Sequence, residues 1–262
     1  MAERVDARQL LSIDGRVVIV TGGAKGIGKI YSERMAEAGA KIVVADIDAA
    51  ANEDTVAGIR AAGGQAVVAT TDVADEAATA QMAKTALDSF GRIDALINNA
   101  SLMSALPRRP WHEIPPGEWD RVMAVNLRGI FLCCRAVWPA MKRQGKGKIV
   151  NISSGRFWDG TPNRLHYSTS KAGVIGLTRS LATELGADNI LVNAITPGFT
   201  LSETQVASSG AYARRNEVDS SRAIPRHQVP DDLVGTVMFL VSDGSDFITG
   251  QTINVDGGKN RH

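Results

Sequence analysis

Tyr167 and Lys171 stand four residues apart in the run YSTSK, and Ser154 lies thirteen positions before the tyrosine. If residues 165–186 form a helix, positions i and i+4 share one face, so the phenol and the ammonium are neighbours. A phenol has a pKa of about 10 and is a poor base at neutral pH, but a nearby cation lowers that pKa. The three residues therefore indicate the acid/base group of an enzyme.

A glycine-rich run, TGGAKGIG at 21–28, directly follows a predicted strand and opens a predicted helix. Glycines permit the tight turn and the close approach of backbone N–H groups to a pyrophosphate, which the helix N-terminus also favours. Such a turn alone is weak evidence for a nucleotide site. The run that begins at Gly23 also satisfies the P-loop spacing, but Ile30 stands where a Mg²⁺-binding Ser or Thr is needed, so nucleotide hydrolysis is disfavoured.

Asp46 ends the second predicted strand, eighteen residues after Gly28. A carboxylate at this place accepts hydrogen bonds from an adenosine ribose and repels a 2′-phosphate. Lys25 favours the opposite choice, because a cation beside the turn could bind that phosphate. We weigh Asp46 more heavily, because a strand end fixes its position whereas a loop lysine can turn into solvent. The predicted cofactor is NAD, with NADP left open.

The bulk composition excludes several classes of protein. The chain has 262 residues and a net charge of +1. It has no basic stripe, which argues against a nucleic-acid or membrane partner. Cys133 and Cys134 are its only cysteines, so a disulfide framework is excluded. The N-terminus lacks the apolar stretch of a signal peptide, and a cytoplasmic location is expected.

Short β-branched runs alternate with longer helical patterns, and no linker or repeat divides the chain. This alternation predicts right-handed crossovers and a mainly parallel sheet. The predicted fold is α/β, a single doubly wound Rossmann-type domain over 1–262, with helices on both faces and an N-terminal extension over 1–14. The predicted strands are Arg16–Val20, Lys41–Ala45, Ala66–Thr70, Ala95–Ile97, Lys148–Ile152, Ile190–Ala194 and Thr252–Val255, and the predicted helices lie near 27–38, 50–62, 76–90, 118–143, 165–186 and 231–242.

Two stretches, 101–117 and 198–229, are rich in proline, glycine and polar residues and are predicted to be loops. Both follow predicted strands, at the carboxyl edge where open α/β sheets bind ligands, so 198–229 is predicted to be a substrate-binding loop. The neighbouring Arg108 and Arg109 could bind a carboxylate or an acyl-carrier phosphate, although a solvated pair is the more ordinary arrangement. A mostly apolar pocket favours an apolar or aromatic substrate. The pocket is expected from Ser101–Arg109, Gly155–Leu165 and Phe199–Ile224, with Leu102, Met103, Phe157, Trp158, Leu165, Phe199 and Leu201 as its apolar residues.

Several polar residues have an ordinary structural interpretation when each is taken alone. Asp72 is typical of a helix N-cap, and the run NNA at 98–100 is typical of a turn. Asn126 lies inside a predicted helix, where a buried amide needs partners and suggests a structural or water-holding role. His166 adjoins Tyr167 but belongs to another helix face, so a surface or interface position is expected. The four histidines are scattered, and no metal site is predicted.

Taken together, these runs resemble the short-chain dehydrogenase/reductase family from Arg16 to Gly258. The family pattern matches TGGAKGIG at 21–28, NNA at 98–100, Asn126, NISS at 151–154, YSTSK at 167–171 and PG at 197–198. The C-terminal run FITGQTINVDGG is also typical of the family. The resemblance implies a seven-stranded parallel sheet and a homotetramer built partly from the helices near 118–143 and 165–186.

The resemblance also implies roles for individual residues. Tyr167 exchanges a proton with the substrate oxygen, while Lys171 lowers the pKa of the tyrosine and hydrogen-bonds the nicotinamide ribose. Ser154 holds the substrate oxygen, and Asn126 positions a water that relays protons to Lys171. The implied cofactor contacts are Gly22, Lys25, Gly26, Ile27, Gly28, Asp46, Ile47, Asp72, Val73, Asn99, Ala100, Tyr167, Lys171, Pro197, Gly198 and Thr200.

The chain departs from the family pattern at two places. Ser101 replaces the glycine that usually follows NNA, and Ser202 stands where threonine is usual, with Thr200 and Thr204 nearby. Which of these hydroxyls contacts the carboxamide is therefore open. The expected activity is hydride transfer between NAD(H) and a hydrophobic secondary alcohol or ketone. The alternatives are an NADPH-dependent 3-oxoacyl thioester reductase and a non-catalytic dinucleotide-binding regulatory protein.

Overall fold

The computed structural model describes residues 6–206 and 221–261. Its seven strands are β1 Val17–Thr21, β2 Lys41–Asp46, β3 Gln65–Thr70, β4 Ala95–Asn98, β5 Gly147–Ile152, β6 Ile190–Pro197 and β7 Thr252–Val255. They form one sheet in the order β3-β2-β1-β4-β5-β6-β7, and every neighbouring pair is parallel. The predicted seven-stranded parallel α/β fold is confirmed.

The helices lie between the strands, as parallel connections require. They are α1 Ala7–Leu10, α2 Gly26–Glu37, α3 Ala49–Ala61, α4 Glu76–Phe90, α5 Pro116–Met123, α6 Gly129–Gln144, α7 Arg156–Asp159, α8 Leu165–Leu185, α9 Glu203–Val206 and α10 Asp231–Val241. Five residues, Ala124–Arg128, form a π-helical turn between α5 and α6. Each predicted strand and helix is present, and no predicted end is more than three residues from the observed one.

The core consists of two layers of apolar side chains, one on each face of the sheet. Val18 and Val20 of β1 point into the layer that contains α2, α3 and α10, while Val17 and Ile19 point into the layer that contains α4, α6 and α8. Successive side chains of a strand alternate between faces, so a strand covered on both sides must be apolar throughout. The near-continuous apolar runs in the sequence have this cause.

The strand order places a binding crevice at one end of the sheet. The chain proceeds outward from β1 to β3 in one direction and then, through β4, from β1 toward β7 in the other. At such a switch point two neighbouring connections leave in opposite directions and open a crevice beyond the carboxyl ends of the strands. The glycine-rich turn after β1 and the segments after β4, β5 and β6 all start at this edge.

The segment Pro116–Gln144 is, among the described residues, long and apolar enough to cross a membrane by length and composition alone. A core helix passes the same test. Here Cys133, Cys134, Val137 and Met141 of α6 are buried in the core layer beside α4 and α8. The apolar face of α6 is thus covered by its own fold.

Candidate active site

A cleft of about 820 Å³ opens at the carboxyl edge of the sheet. Its walls include all but two of the site residues predicted from the sequence. They are Gly22, Lys25, Gly26, Ile27, Asp46, Ile47, Asp72, Val73, Asn99, Ala100, Ser154, Tyr167, Lys171, Pro197, Gly198 and Thr200. The two that do not reach the cleft surface are Gly28 and Asn126, and each supports a residue that does.

The turn after β1 has room only for glycine at its crucial positions. Gly22 and Gly26 have positive φ angles of 62° and 54°. A Cβ at Gly28 would lie 2.0 Å from the carbonyl oxygen of Gly22. The first turn of α2 is therefore pressed against the strand end, and Gly26 and Ile27 line the cleft, where the Gly26 N–H donates to the Glu203 carboxylate at 3.3 Å. This geometry fits the pyrophosphate of a dinucleotide, for which the helix N-terminus supplies favourable dipole.

Asn99 and Thr21 lock this turn to the end of β4. The Asn99 amide donates hydrogen bonds to the carbonyl oxygens of Thr21 and Gly22, both at 3.1 Å. The Thr21 hydroxyl in turn accepts from the backbone N–H groups of Asn99 at 3.0 Å and Ala100 at 3.2 Å. Asn99 thus stabilises the turn and also lines the cleft, so both interpretations that the sequence allowed for it apply. Sequence reasoning missed Thr21, although its place at a strand end beside the glycines was a signal.

The far end of the cleft carries Asp46 and Lys25, the two residues predicted to influence the choice between NAD and NADP. Asp46 ends β2, and among the described residues its carboxylate accepts only the backbone N–H of Asp48, at 3.1 Å, so it remains available to a ligand. Lys25 is bound to Asp48 at 2.5 Å, and this hydrogen bond raises the pKa of Lys25. Because Asp48 also caps α3, the lysine charge is neutralised by a fixed partner. Lys25, the residue that favoured NADP in the sequence, is therefore already paired with Asp48.

Asp72 is not the N-cap of α4, so that alternative interpretation was wrong. The cap is Asp75, whose side chain accepts the Ala78 N–H at 2.8 Å. Asp72 accepts the Ala74 N–H at 2.9 Å in a tight turn, which lies before the helix and against the cleft. The N-cap is thus three residues later than Asp72, because Asp75 stands directly before the helical run.

At the other end of the cleft, Tyr167 and Ser154 meet. The nearby Ser154 hydroxyl lowers the pKa of Tyr167, because it favours the phenolate. Burial acts in the opposite direction and is the larger effect, so the pKa of Tyr167 is raised overall. Both residues line the cleft, where one substrate oxygen could bond to both hydroxyls. This shared position is what the proposed roles of both residues need.

Lys171 occupies the same face of α8 as Tyr167, and its ammonium is bound at the end of β5. Its ammonium donates to the carbonyl of Ile152 at 2.8 Å and lies 5.8 Å from the centre of the Tyr167 ring. The cations whose charges lower the pKa of Tyr167 are Arg156 and Arg164. That Lys171 also lowers the pKa of Tyr167 stays a prediction. Its predicted bond to the nicotinamide ribose stays a prediction.

The burial of Lys171 has a consequence for stability. Burial lowers its pKa from 10.5 to about 7. Between pH 7 and 10.5 the Lys171 amine is protonated in the unfolded chain and neutral in the folded chain. The free energy of unfolding therefore rises with pH in this range. Below pH 7 both states are protonated, and the full cost of burying the charge is present. A lysine with a lowered pKa therefore contributes its largest destabilisation at low pH.

We expect Lys171→Met to show this dependence directly. The free energy of unfolding of the variant, minus that of the parent, should fall by about 2–3 kcal/mol between pH 6.5 and 9.5. Urea unfolding of both proteins at these pH values measures the difference, and other titrating groups cancel because both proteins share them. A difference that stays constant with pH would contradict the lowered pKa.

Asn126 performs a structural task in the π-helical turn. Its side-chain oxygen accepts the Leu102 N–H at 2.7 Å, and its amide donates to the Leu102 carbonyl at 3.2 Å and to the Ser170 hydroxyl at 3.1 Å. It is wholly buried and ties the loop after β4 to α8, the helix that carries Tyr167. The structural interpretation of this residue is confirmed, whereas the relay through water stays a prediction.

The substrate side of the cleft is less apolar than predicted. Leu102, Met103 and Phe199 line it, but four of the seven predicted apolar residues do not. The Trp158 indole N–H donates to the Thr196 hydroxyl at 3.4 Å, which turns the ring away from the cleft. Its ring packs edge-on against that of Phe157, with 4.5 Å between the ring centres. The other two are Leu165, whose side chain is exposed on α8, and Leu201, which lies on the other side of its loop. Of the predicted substrate-binding loop, residues 207–220 lie outside the described part.

The substrate side of the cleft is instead lined by several arginine side chains. Arg156 and Arg164 line the cleft, together with the more exposed Arg108 and Arg121. Arg109, by contrast, is held by Glu118 at 3.4 Å, so Arg108 and Arg109 do not act as a pair. Thr200, Ser202 and Thr204 all reach the cleft, which leaves the choice of carboxamide partner open. Nowhere in residues 6–206 and 221–261 do three metal-ligating side chains cluster.

His166 is buried, and the expectation of a surface or interface position was wrong. It is wholly inaccessible, and its Nε2 lies 3.2 Å from the Glu118 carboxylate. Burial lowers the pKa of His166 despite that carboxylate. The reason is α5, which packs over the start of α8 and covers a face that the helix alone would leave exposed.

Comparison with known proteins decides the family. Residues 22–260 match the family model described as enoyl-(acyl carrier protein) reductase. The chain is 40% identical to (2S)-[(R)-hydroxy(phenyl)methyl]succinyl-CoA dehydrogenase subunit BbsD of Thauera aromatica, with 95% of this chain and 98% of that protein covered. The chain belongs to the short-chain dehydrogenase/reductase family. It is also 38% identical, over 95% of this chain and 98% of the relative, to a 3-oxoacyl-[acyl-carrier-protein] reductase of Synechocystis sp..

A solved structure of a dehydrogenase has the same fold. It is a 7α-hydroxysteroid dehydrogenase complexed with NADH and 7-oxo glycochenodeoxycholic acid, and it superposes with a TM-score of 0.90 at 31% identity. The alignment covers 97% of this chain and 98% of that one. The protein is accordingly an NAD(P)-dependent oxidoreductase. The predicted homotetramer and the cytoplasmic location stay predictions.

Proposed function

We propose that the protein interconverts a hydrophobic secondary alcohol and its ketone, with NAD(H) as the preferred cofactor. The observation that carries this proposal is that Tyr167 and Ser154 line the same cleft, close enough for the serine hydroxyl to lower the pKa of the phenol. A bound nicotinamide supplies the chemistry of hydride transfer to or from carbon. The protein's own residues must then hold the reacting oxygen and move its proton.

Ser154 and Tyr167 perform these two tasks together. The Ser154 hydroxyl donates to the substrate oxygen and holds it beside the phenol. In alcohol oxidation, the ionised Tyr167 accepts the hydroxyl proton; in ketone reduction, the neutral phenol donates it. Burial alone would keep the phenol protonated, so the nearby hydroxyl and the cationic side chains are needed to make the ionised form accessible at neutral pH.

The preference for NAD is supported by the charges at the other end of the cleft. Asp46 presents a carboxylate where a ribose 2′-phosphate would lie, and Lys25 is already bound to Asp48. The hydrophobic character of the substrate is supported by Leu102, Met103 and Phe199 in the cleft wall. The names of two relatives are consistent with it, since one includes a hydroxy(phenyl)methyl group and the other a 7-oxo steroid acid.

The rival reaction is reduction of a 3-oxoacyl thioester with NADPH, which the Synechocystis relative's name supports. A panel of aryl ketones, cyclic ketones, sugars and 3-oxoacyl thioesters, each assayed with NADH and NADPH, separates the two. We expect the highest kcat/KM with an aryl ketone and NADH. Preferred reduction of the thioester with NADPH would replace the proposed function with its rival.

A further inference from the structure

We propose that the substrate carries a carboxylate close to its reacting carbon, and that Arg156 binds this carboxylate while Arg164 adds its charge. This inference rests on the proposed function and narrows its substrate class to hydroxy acids and oxo acids with an apolar remainder. It arises from an excess of positive charge at the reacting end of the cleft.

Arg156 is the stronger of the two candidates. It is the first residue of α7, and its backbone N–H donates to the Ser154 hydroxyl at 3.3 Å, so its position is tied to that of a reacting group. Its guanidinium lines the cleft, and Nη1 is buried with no hydrogen-bond partner among the described residues. A buried donor without a partner is unfavourable, and more so when the group is charged. A ligand that accepts from this group would remove that cost.

Arg164 is more deeply buried and only partly engaged. The residue is 9% exposed, and it donates through Nη2 to the Leu106 carbonyl at 3.0 Å and through Nη1 to the Met103 sulfur at 2.7 Å. Its Nε is buried with no partner among the described residues. Two contacts therefore fix the plane of the guanidinium at the cleft wall. Neither contact neutralises its charge.

The two guanidinium groups act on each other and on the phenol. The charge of Arg156 lowers the pKa of Arg164, and both charges lower the pKa of Tyr167. These charges therefore lie at the reacting end of the cleft, near the atom that exchanges the proton. Two like charges held together in a partly dry site repel each other, and an anion between them would turn that repulsion into attraction.

The carboxylates nearest to this end of the cleft already have partners. Asp159 binds Lys259 at 2.8 Å. Glu118 lies 3.4 Å from Arg109 and 3.2 Å from His166. Within residues 6–206 and 221–261, neither Arg156 nor Arg164 has an ion-pair partner. The positive charge at the reacting end is thus left for the ligand to neutralise.

A carboxylate fits this arrangement. The planar guanidinium of Arg156 presents two parallel donors that match the two oxygens of a carboxylate. Each end nitrogen of Arg164 already gives one N–H to a protein acceptor, so this residue contributes mainly its charge. The substrate is therefore expected to be an oxo acid whose carbonyl is held at Ser154 and Tyr167.

The test compares matched substrates that share one reacting carbonyl. The probes are 4-oxo-4-phenylbutanoate, its methyl ester and 1-phenylbutan-1-one, each assayed with NADH. We expect kcat/KM for the acid to exceed that for the ester by about 10–100-fold, the gain of one well-formed charged hydrogen-bonded pair. In Arg156→Gln this acid-to-ester ratio should collapse toward one, and Arg156→Lys should keep part of it because it retains the charge. The matched control is Arg179→Gln, which removes the same charge from an exposed position on α8 and should keep the full ratio.

Several outcomes would overturn the inference while leaving the proposed function intact. One is equal turnover of acid, ester and ketone by the parent protein. Another is an equal loss for acid and ester in Arg156→Gln, with a shifted pH profile, because that result would mean that Arg156 only tunes Tyr167. A preference for the matched phosphonate over the carboxylate would assign the site to phosphate instead.

A binding measurement separates failure of the inference from failure of the proposed function. Titration calorimetry of 4-phenylbutanoate into the parent protein with NAD needs no turnover. Binding that is lost in Arg156→Gln, and absent for the methyl ester, would support the carboxylate site even if none of the ketones is reduced. That combination would overturn the proposed reaction alone, whereas turnover without carboxylate-dependent binding would overturn the inference alone.

Discussion

Tyr167→Phe should lower kcat by about 10²–10⁴-fold, the usual contribution of a positioned general acid/base. The substitution removes one hydroxyl and keeps the ring. That ring packs against Leu106 and Val122 in a small apolar cluster at the cleft wall. Phenylalanine therefore preserves the packing while the proton exchange with the substrate is lost. The glycine-rich turn and Asp46 lie at the other end of the cleft, so cofactor affinity should change by less than about twofold.

The chain offers a matched control for this substitution. Tyr31 in α2 is wholly buried, and its hydroxyl makes no hydrogen bond within the described residues. Tyr31→Phe removes the same atom from a similar environment that does not border the cleft, and it should leave kcat and cofactor affinity unchanged. Steady-state assays and NADH fluorescence titrations on the three proteins provide both quantities.

This comparison also discriminates against a purely regulatory role. Turnover in the parent that vanishes in Tyr167→Phe, with NADH still bound, makes the protein an enzyme with the tyrosine as its proton-exchanging group. Retained turnover in Tyr167→Phe would refute the assigned role. Equal losses in both tyrosine variants would instead indicate a general effect of removing a buried hydroxyl.

The sheet could be predicted from the sequence because its physical causes are local. Strands covered on both faces must be apolar throughout, and β1 and β2 were visible for that reason. The one strand end that was missed by three residues is in β6, which continues to Pro197 because β7 pairs with Ala194–Pro197. That pairing joins segments more than fifty residues apart, so a short window of sequence does not contain it.

The helix that was predicted as one piece near 118–143 is interrupted for a tertiary reason. Asn126 bonds to Leu102 and Ser170, on two other segments, and the π-helical turn presents its side chain to both. The signal was an asparagine in an otherwise apolar helical pattern, where it is a poor helix former. The sequence indicated that the amide needs partners, but the identity of the partners depends on how the segments pack.

The cofactor side of the cleft was predictable and the substrate side was not. Gly22 and Asp46 stand at strand ends, where the direction of the chain fixes what they face. The short helix α7 lies between β5 and α8, and which of its side chains enters the cleft depends on tertiary contacts. Trp158 finds a hydroxyl on β6 and turns away, so Arg156 lines the cleft instead. The charged character of this wall therefore emerged only with the structure.

The second large effect is expected at Asp46. In Asp46→Asn the affinity for NAD relative to NADP should fall by about 10²–10³-fold, combining lost charged hydrogen bonds to the ribose with relief of repulsion toward a 2′-phosphate. Asparagine has nearly the same shape and can still accept the Asp48 N–H, so the turn after β2 should persist. Fluorescence titration with NADH and NADPH measures both affinities, and added salt should weaken the discrimination of the parent because exposed charges are screened.

Two further variants establish whether the effect belongs to this carboxylate. Asp54→Asn removes the same charge from an exposed position on α3 and should leave the ratio unchanged. Lys25→Ala tests the neutralised cation: because Lys25 is bound to Asp48, NADPH affinity should fall by less than about threefold. A parent protein that binds NADPH more tightly than NADH, and loses that preference in Lys25→Ala, would reverse the assignment. In that case the lysine would have to leave Asp48 for the phosphate, and the ion pair seen here would be the state without NADP.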